Sequence, residues 1–69
     1  MSTFSERLLT LREDKKLSQA AVAKETGITT RTYQRSEAGE REPMVSALVR
    51  IADFYGVSMD YLAGRTDIK

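Results

Sequence analysis

Side chains suited to directional hydrogen bonding are concentrated between residues 29 and 35. Hydroxyl, amide and guanidinium groups recur there at helical spacing, on Thr29, Thr30, Arg31, Gln34 and Arg35. Because residues three and four positions apart share one face of an α-helix, this segment presents donors and acceptors side by side. An arginine in such a place can pair with the edge of a guanine through two hydrogen bonds. The alternative is that Arg31 and Arg35 only solubilise a helix face, as such pairs usually do in unrelated helical domains.

Residue types that carry catalysis or bind metal ions are scarce. The chain has 69 residues, with no His and no Cys. It also lacks a glycine-rich phosphate-binding loop. No pair of carboxylates is expected to share a catalytic pocket in so small a domain. We therefore expect no enzymatic activity, no metal site and no cofactor. The absence of Cys is compatible with a cytoplasmic protein, and we expect no membrane span because no stretch approaches the roughly 20 apolar residues that a span needs.

The elements that position the polar segment are predicted to be helices. Apolar residues recur at intervals of three and four, and no window alternates as a strand does. Five helices are expected, at Thr3 to Lys15 or Lys16, Ser18 to Thr26, Thr29 to Ala38, Pro43 to Tyr55, and Ser58 to just before Gly64. Thr3 and Glu6 would form a capping box at the start of the first helix. We expect residues 1–64 to form one all-α domain and residues 65–69 to form a frayed tail.

The second and third helices are predicted to form a helix-turn-helix. The small Ala23 allows two helices to cross closely, and Gly27 permits a left-handed backbone in the short turn. Ile28 and Tyr33 would then pin the third helix to the core. This arrangement leaves the opposite face of residues 29–38 exposed, which is the face that carries the polar segment.

Charge is unevenly distributed, although the net charge of the whole chain is only +1. Residues 1–35 hold seven basic and four acidic side chains, a net charge of +3, and the remainder carries −2. The asymmetry fits one half that faces DNA and another that faces a partner, but mixed charges on solvated helices can also produce it by chance. Lys15 and Lys16 can either complement the helix dipole or contact phosphates.

Three features occur in order between Arg7 and Leu62: the stretch LREDKKLSQAAVAKETGI, then Glu37-x-Gly39 with Arg41 and Pro43 after it, and then the stretch IADFYGVSMDYL. In these features the sequence resembles the Cro and phage repressor helix-turn-helix family. The resemblance implies a compact, five-helix, lambda-repressor-like DNA-binding domain in which helices 2 and 3 form the helix-turn-helix. It also implies that the third helix lies in the major groove of double-stranded DNA.

The same resemblance implies roles for individual polar residues. Contacts with bases are expected from Thr29, Thr30, Arg31, Gln34 and Arg35, of which Gln34 can instead reach a phosphate. Contacts with the DNA backbone are expected from Gln19, Arg12 and Arg41. Arg12 is also expected to bond Glu37, whose carboxylate would accept the forked donors of the guanidinium group. The alternative for Arg12 and Glu37 is two unpaired surface charges.

Three positions depart from the family pattern. Thr26 and Ser36 stand where the family usually has aliphatic core residues, so we expect looser packing there. Ser36 can satisfy its hydroxyl on the carbonyl one turn back. Met44 stands where a serine commonly caps the fourth helix, so we expect that helix start to be less well fixed.

The resemblance implies a sequence-specific transcriptional regulator, most simply a repressor, that works by occupying a DNA operator. Val57, Met59 and Tyr61 fall in the region that the family uses for self-association, which predicts a homodimer on a palindromic operator. The competing hypothesis is a helical protein-interaction module that binds a toxin or another regulator and makes little contact with DNA. The sequence is compatible with a stand-alone regulator and with a fragment of a longer repressor.

Overall fold

Residues 4–69 are described by the structure, a computed structural model, and every regular element in that range is an α-helix. The helices are α1 (Phe4–Lys15), α2 (Gln19–Thr26), α3 (Thr30–Glu37), α4 (Val45–Tyr55) and α5 (Met59–Leu62). The five predicted helices and the all-α fold class are therefore confirmed. The predicted capping box falls partly outside the described residues, because Thr3 is not among them.

Three of the helices begin at a side-chain cap, at the residues where the sequence predicts that they start. The hydroxyl oxygens of Ser18, Thr29 and Ser58 each accept a hydrogen bond from the backbone N–H three residues on, at 3.0 to 3.1 Å. Met44, the residue before α4, is extended and makes no side-chain cap bond. Because Met44 is extended, the first helical residue of α4 is Val45. Pro43 therefore lies before α4, and not in its first turn as the sequence suggested.

The connection between α2 and α3 comprises only residues 27–29. Gly27 adopts a left-handed conformation with φ 72°, and its N–H points to the carbonyls of Ala23 and Lys24. The N–H of Ile28 donates to the Ala23 carbonyl at 3.0 Å, which closes the last turn of α2. A left-handed residue at this point reverses the chain within one turn. Helices α2 and α3 therefore form the predicted helix-turn-helix.

The core is built from the apolar faces of all five helices. Its buried side chains are those of Leu8, Leu11, Val22, Ala23, Tyr33, Ile51, Ala52, Tyr55 and Leu62. Phe4 packs against this core. Leu9 is exposed, because α1 turns about 100° per residue and carries Leu9 away from the face that Leu8 and Leu11 share. Within residues 4–69, no helix is long and apolar enough to cross a bilayer.

Two hydroxyl side chains lie in the core at the positions that depart from the family pattern. Thr26 donates to the carbonyl of Val22 at 2.8 Å, and Ser36 donates to the carbonyl of Thr32 at 3.0 Å. Both residues are buried, so the hydrogen bond to the preceding turn replaces the one that each hydroxyl loses with water. The expected bond from Ser36 is confirmed, and no buried side-chain polar atom in the described part of the chain lacks a partner.

Residues 65–69, which the sequence suggested would be a frayed tail, make hydrogen bonds to the rest of the domain. Arg7, which is buried in α1, donates to the carbonyl of Thr66 at 2.6 Å and to the carboxylate of Asp67 at 2.8 Å. The N–H of Ser58 donates to the carbonyl of Lys69 at 2.9 Å. The segment therefore lies against α1 and the start of α5, because their donors satisfy its carbonyl groups. A domain boundary at residue 64 stays a prediction.

Candidate nucleic-acid interface

The outward face of α3 brings together four of the five residues predicted to contact bases. Arg31, Gln34 and Arg35 are exposed, and Thr30 is half-buried at the first residue of the helix. With about 100° between successive residues, these four side chains span an arc of about 140°. Tyr33 is fully buried on the other side of the helix. The packing of that ring therefore sets which face of α3 points away from the core.

Thr29, the fifth of these residues, stands apart because its side chain caps α3. Its hydroxyl oxygen accepts from the Thr32 N–H at 3.1 Å, and its hydroxyl hydrogen is donated to the Thr32 hydroxyl at 2.8 Å. A hydroxyl has one hydrogen and two lone pairs, so only one lone pair is left for an outside donor. Thr29 stabilises the first turn of α3, and its side chain can offer a base only an acceptor.

A forked ion pair joins α1 to the last residue of α3. The Nε atom of Arg12 lies 2.9 Å from Oε2 of Glu37, and its Nη2 lies 2.7 Å from Oε1. The remaining nitrogen, Nη1, donates to the carbonyl of Leu17 at 2.9 Å. The Glu37 side chain is 5% exposed and that of Arg12 is 18% exposed, so solvent screens the pair only weakly. The two residues are paired, and the alternative of separate surface charges does not describe this structure.

Gln19 shares the same carboxylate. Its side-chain Nε2 donates to Oε1 of Glu37 at 3.3 Å, and Gln19 is the first residue of α2. Glu37 thus brings together side chains from α1, α2 and α3. Arg41, the third residue predicted to contact the DNA backbone, is exposed in the loop between α3 and α4 and makes no hydrogen bond to this group within the described residues.

The surroundings of Glu37 and its neighbours determine how they ionise. Burial by itself would raise the pKa of Glu37, but the hydrogen bonds from Arg12 and Gln19 and the positive charge of Arg12 help to hold that pKa below its ordinary value. The hydrogen bond with Glu37 raises the pKa of Arg12. Burial and a hydrogen bond with Tyr55 raise the pKa of Tyr33. Glu37 and Arg12 are therefore both charged at neutral pH. The hydroxyl groups of Tyr33 and Tyr55, whose oxygens lie 2.9 Å apart, stay neutral.

The pH dependence of the free energy of unfolding should reveal the contribution of the Glu37 carboxylate. Because its folded pKa lies below the ordinary value of 4.5, its stabilising contribution is complete above that value and is lost as the pH falls through the folded pKa. We expect Glu37→Gln to lower the free energy of unfolding at neutral pH, and we expect its difference from the wild type to shrink on acidification. Urea titrations at neutral pH and at about pH 3 measure that difference. Glu40→Gln, at an exposed position in the next loop, is the control. A difference that stays constant across this range would contradict the assignment.

Two basic residues that contribute to the positive charge of residues 1–35 lie against aromatic rings. The guanidinium group of Arg7 lies 4.2 Å from the centre of the Tyr61 ring, and the Nζ of Lys15 lies 5.8 Å from the centre of the Phe54 ring. The sequence could have indicated that Arg7 is buried, because Arg7 precedes Leu11 by four residues and so lies on the apolar face of α1. Because Arg7 is buried, the positive charge available to a phosphate is smaller than the sequence count suggests.

Only one of the three residues predicted to form a dimer interface is exposed. Val57 and Tyr61 are half-buried and pack against the core. Met59, the first residue of α5, is exposed. The guanidinium of Arg7 covers one face of the Tyr61 ring. Of the three predicted contacts, Met59 is the one whose apolar surface is most open to a partner.

Comparison with known proteins relates the chain to transcriptional regulators. The sequence model of the family described as "Helix-turn-helix" matches residues 8–62. The chain is 44% identical over 59 residues to the uncharacterized HTH-type transcriptional regulator YqaE of Bacillus subtilis, covering 86% of this chain and 51% of that protein. It is 42% identical over 62 residues to the cryptic phage CTXphi transcriptional repressor RstR of Vibrio cholerae, covering 90% of this chain and 55% of that protein. The chain spans about half the length of these curated relatives.

A solved structure has the same fold. The crystal structure of the P22 c2 repressor protein in complex with a synthetic operator superposes with a TM-score of 0.90 at 27% sequence identity. The superposition covers 96% of this chain and 100% of the repressor chain. The arrangement of all five helices is therefore that of a repressor domain crystallised with operator DNA.

Proposed function

This chain belongs to the helix-turn-helix family, and we propose that it is a transcriptional repressor that binds double-stranded DNA with sequence specificity. The observation that carries the proposal is the outward face of α3, where two guanidinium groups and an amide stand together while Tyr33 anchors the opposite side. The similarity to a named repressor and to a repressor crystallised with its operator supports it. The protein acts by occupying its operator and catalyses no reaction.

Base contacts are assigned to the outward face of α3. The major groove is about 12 Å wide and admits an α-helix. Arg31 and Arg35 each have the forked donors that pair with O6 and N7 of guanine, and Gln34 has the donor and acceptor that pair with adenine. Thr30, at the start of the helix, is placed to contact a base edge with its hydroxyl or methyl group. These four side chains would determine the operator sequence.

Backbone contacts are assigned to Arg12, Gln19 and Arg41. Phosphate contacts orient a recognition helix without selecting a sequence. Gln19 begins α2, where the backbone amides and the helix dipole favour an anion. Arg12 lies beside it because both donate to the Glu37 carboxylate. Glu37 therefore positions two phosphate contacts relative to α3, of which it is the last residue.

Binding as a homodimer is part of the proposal. A twofold dimer would place two copies of α3 in successive major grooves about 34 Å apart and would match a palindromic operator. Val57, Met59 and Tyr61 are the residues assigned to the interface, and the exposure of Met59 supports that region.

Selection from a randomised pool of duplex DNA tests the proposed function. The retained sequences are identified, and the best site is then titrated at several salt concentrations. We expect a palindromic site and an affinity that falls steeply with salt, since phosphate contacts release counterions. Absence of enrichment above background would contradict DNA binding and would favour a module that binds protein partners.

Alanine variants separate the two kinds of contact. Arg31→Ala and Arg35→Ala are each expected to weaken binding to the selected site by about 1 to 3 kcal/mol and to relax the preference at one base pair. Gln19→Ala should weaken binding to all sequences alike. Titrations against the selected site and a scrambled duplex give the ratio that distinguishes these outcomes. If both arginine variants bind the selected site as the wild type does, α3 is not the recognition helix.

A further inference from the structure

A small apolar cavity lies between α1, α4 and the end of α5. It has a volume of about 220 Å³ and is lined, within the described residues, by Phe4, Glu42, Pro43, Leu48 and Ala63. Phe4 begins α1, Leu48 belongs to α4, and Ala63 is the C-cap of α5. Four of these five residues are apolar, so the cavity can bury an apolar group. None of the side chains assigned to DNA or to the dimer interface lines it.

A second cavity adjoins the first, because Phe4 and Glu42 line both. Its volume is about 250 Å³, and its other lining residues among those described are Ser5, Ser36, Gly39 and Arg41. Hydroxyl and guanidinium groups line this cavity, whereas the first is lined mainly by apolar side chains. The two cavities form one groove with an apolar end and a polar end, which we call the α1–α4 groove.

The groove carries an acid and a base that are adjacent in the chain. Arg41 lines the polar end alone, whereas Glu42 lines both ends. Both residues are exposed, and within residues 4–69 neither side chain makes an ion pair or a hydrogen bond. The carboxylate where the two ends meet attracts a cation, and the guanidinium group attracts an anion. Both charges are therefore available to a ligand.

The size and the charges of the groove fit a small zwitterion with an apolar side chain. An apolar cavity of about 150 Å³ is large enough for benzene. The apolar end, at about 220 Å³, therefore accommodates a phenyl group. An α-amino acid carries its ammonium and carboxylate groups on one carbon atom, beside its side chain. With the side chain in the apolar end, the ammonium group can lie at Glu42 and the carboxylate can reach Arg41.

We propose that the α1–α4 groove binds an α-amino acid with an apolar side chain, and that the bound amino acid weakens DNA binding by occupying Arg41. The inference rests on the proposed function, in which Arg41 contacts the DNA backbone. The carboxylate of the ligand and a phosphate group of DNA compete for the same guanidinium group. Because phosphate contacts select no sequence, the ligand lowers the affinity for all duplexes alike. The groove therefore gives the DNA-binding domain itself an inducer site.

Titration of the full chain with L-phenylalanine, without DNA, tests the site. Two-dimensional NMR of the isotope-labelled protein follows the backbone amides of residues 40–42 and of Leu48. We expect saturable shifts with a Kd on the order of 1 mM, because exposed ion pairs contribute little each. Two analogues, 3-phenylpropionate without the ammonium group and phenethylamine without the carboxylate, should each bind about two- to fivefold more weakly. Glycine, which lacks the ring, should bind at least about tenfold more weakly.

Two alanine residues of the same backbone geometry test whether the ring enters the apolar end. Ala63 and Ala38 are the exposed C-cap residues of α5 and α3, and both have right-handed helical backbone angles. Ala63→Leu fills part of the cavity and should weaken the binding of L-phenylalanine at least about fivefold. Ala38→Leu is the matched control, since Ala38 lines neither cavity, and should change binding less than about twofold. Equal effects of the two variants would overturn the placement of the ring.

Glu42→Gln tests the contact with the ammonium group. We expect it to weaken the binding of L-phenylalanine by about two- to fivefold. It should not weaken the binding of 3-phenylpropionate, which has no ammonium group. Glu40→Gln is the control, because Glu40 is exposed in the same loop but lines neither cavity. If Glu42→Gln weakened the binding of both ligands equally, or of neither, the contact with Glu42 would be wrong.

Competition with DNA tests the role of Arg41. Saturating L-phenylalanine should lower the affinity for the selected site and for a scrambled duplex by the same factor, about two- to tenfold. It should also reduce the slope of log affinity against log salt concentration by about 1, the contribution of one phosphate contact. Glycine at the same concentration controls for the change of solvent. In Arg41→Ala the ligand should lower the affinity less than about twofold, because the shared guanidinium group is absent.

The outcomes distinguish this inference from DNA binding itself. If glycine or either analogue bound as tightly as L-phenylalanine, the proposed ligand class would be overturned. A ligand effect on DNA affinity that persists in Arg41→Ala, or that is absent from the wild type, would overturn the competition. None of these results bears on the assignment of α3, which fails if the wild type enriches no duplex. The NMR titration contains no DNA, so its result stands whichever way that selection ends.

Discussion

Replacing Tyr33 with alanine should lower the free energy of unfolding by about 3 to 5 kcal/mol, the usual cost of deleting a buried aromatic side chain. Tyr33 is fully buried and shares a 2.9 Å hydrogen bond with Tyr55, so it joins α3 to α4. A domain of 69 residues has a total stability of only about 3 to 10 kcal/mol. We therefore expect much of the variant to be unfolded at room temperature. Urea unfolding followed by circular dichroism measures the loss.

Tyr33→Phe is the control for that result. It keeps the ring and removes only the hydroxyl, so we expect a cost of about 0.5 to 1.5 kcal/mol from the lost hydrogen bond. The comparison separates the packing of the ring from the hydrogen bond to Tyr55. If the alanine variant lost no more stability than the phenylalanine variant, the ring would not be the anchor that orients α3.

Glu37→Ala should lower the free energy of unfolding by about 3 kcal/mol, because it leaves the partly buried Arg12 without its counter-charge. The value lies at the lower end of the range for buried pairs, since Arg12 remains 18% exposed and keeps its bond to the Leu17 carbonyl. The variant also releases Gln19. Where enough protein remains folded, we expect DNA affinity to fall by the same factor for the selected site and a scrambled duplex. Urea unfolding and titration of both duplexes measure the two effects.

A double variant tests the cause of that loss. Arg12→Met combined with Glu37→Met removes both charges and retains apolar volume, so we expect it to be more stable than Glu37→Ala. The single variants Arg12→Met and Glu37→Met complete a double-mutant cycle, which gives the coupling energy of the pair. A coupling energy near zero would show that the forked bonds contribute nothing to stability. DNA affinity should stay low in the double variant, because the proposed phosphate contact of Arg12 is absent.

The helices were predictable because their signals are local. The caps at Ser18, Thr29 and Ser58 each join residues three apart, so they depend on no distant partner. The left-handed turn at Gly27 likewise needs only a residue without a side chain. The uncapped start of α4 at Met44 followed from the same rule.

The polar face of α3 was predictable in part. Helical periodicity places Arg31, Gln34 and Arg35 on one side of α3 whatever the rest of the chain does. It does not decide that Thr29 uses its hydroxyl hydrogen on Thr32, because several local acceptors were available to it. The pairing of Arg12 with Glu37 spans 25 residues. It followed from the family resemblance and not from spacing.

By itself the sequence determined which segments become helices, where three of them are capped, and which polar side chains share the outward side of α3. The tertiary structure alone decided the partners of Arg7, which lie 54 to 60 residues away, the bond between Tyr33 and Tyr55, and the exposure of Leu9. The physical reason is the range of the interactions. A cap or a turn depends on neighbours within one helical turn, whereas a buried polar group bonds whichever acceptor the packing of the whole core brings within about 3 Å.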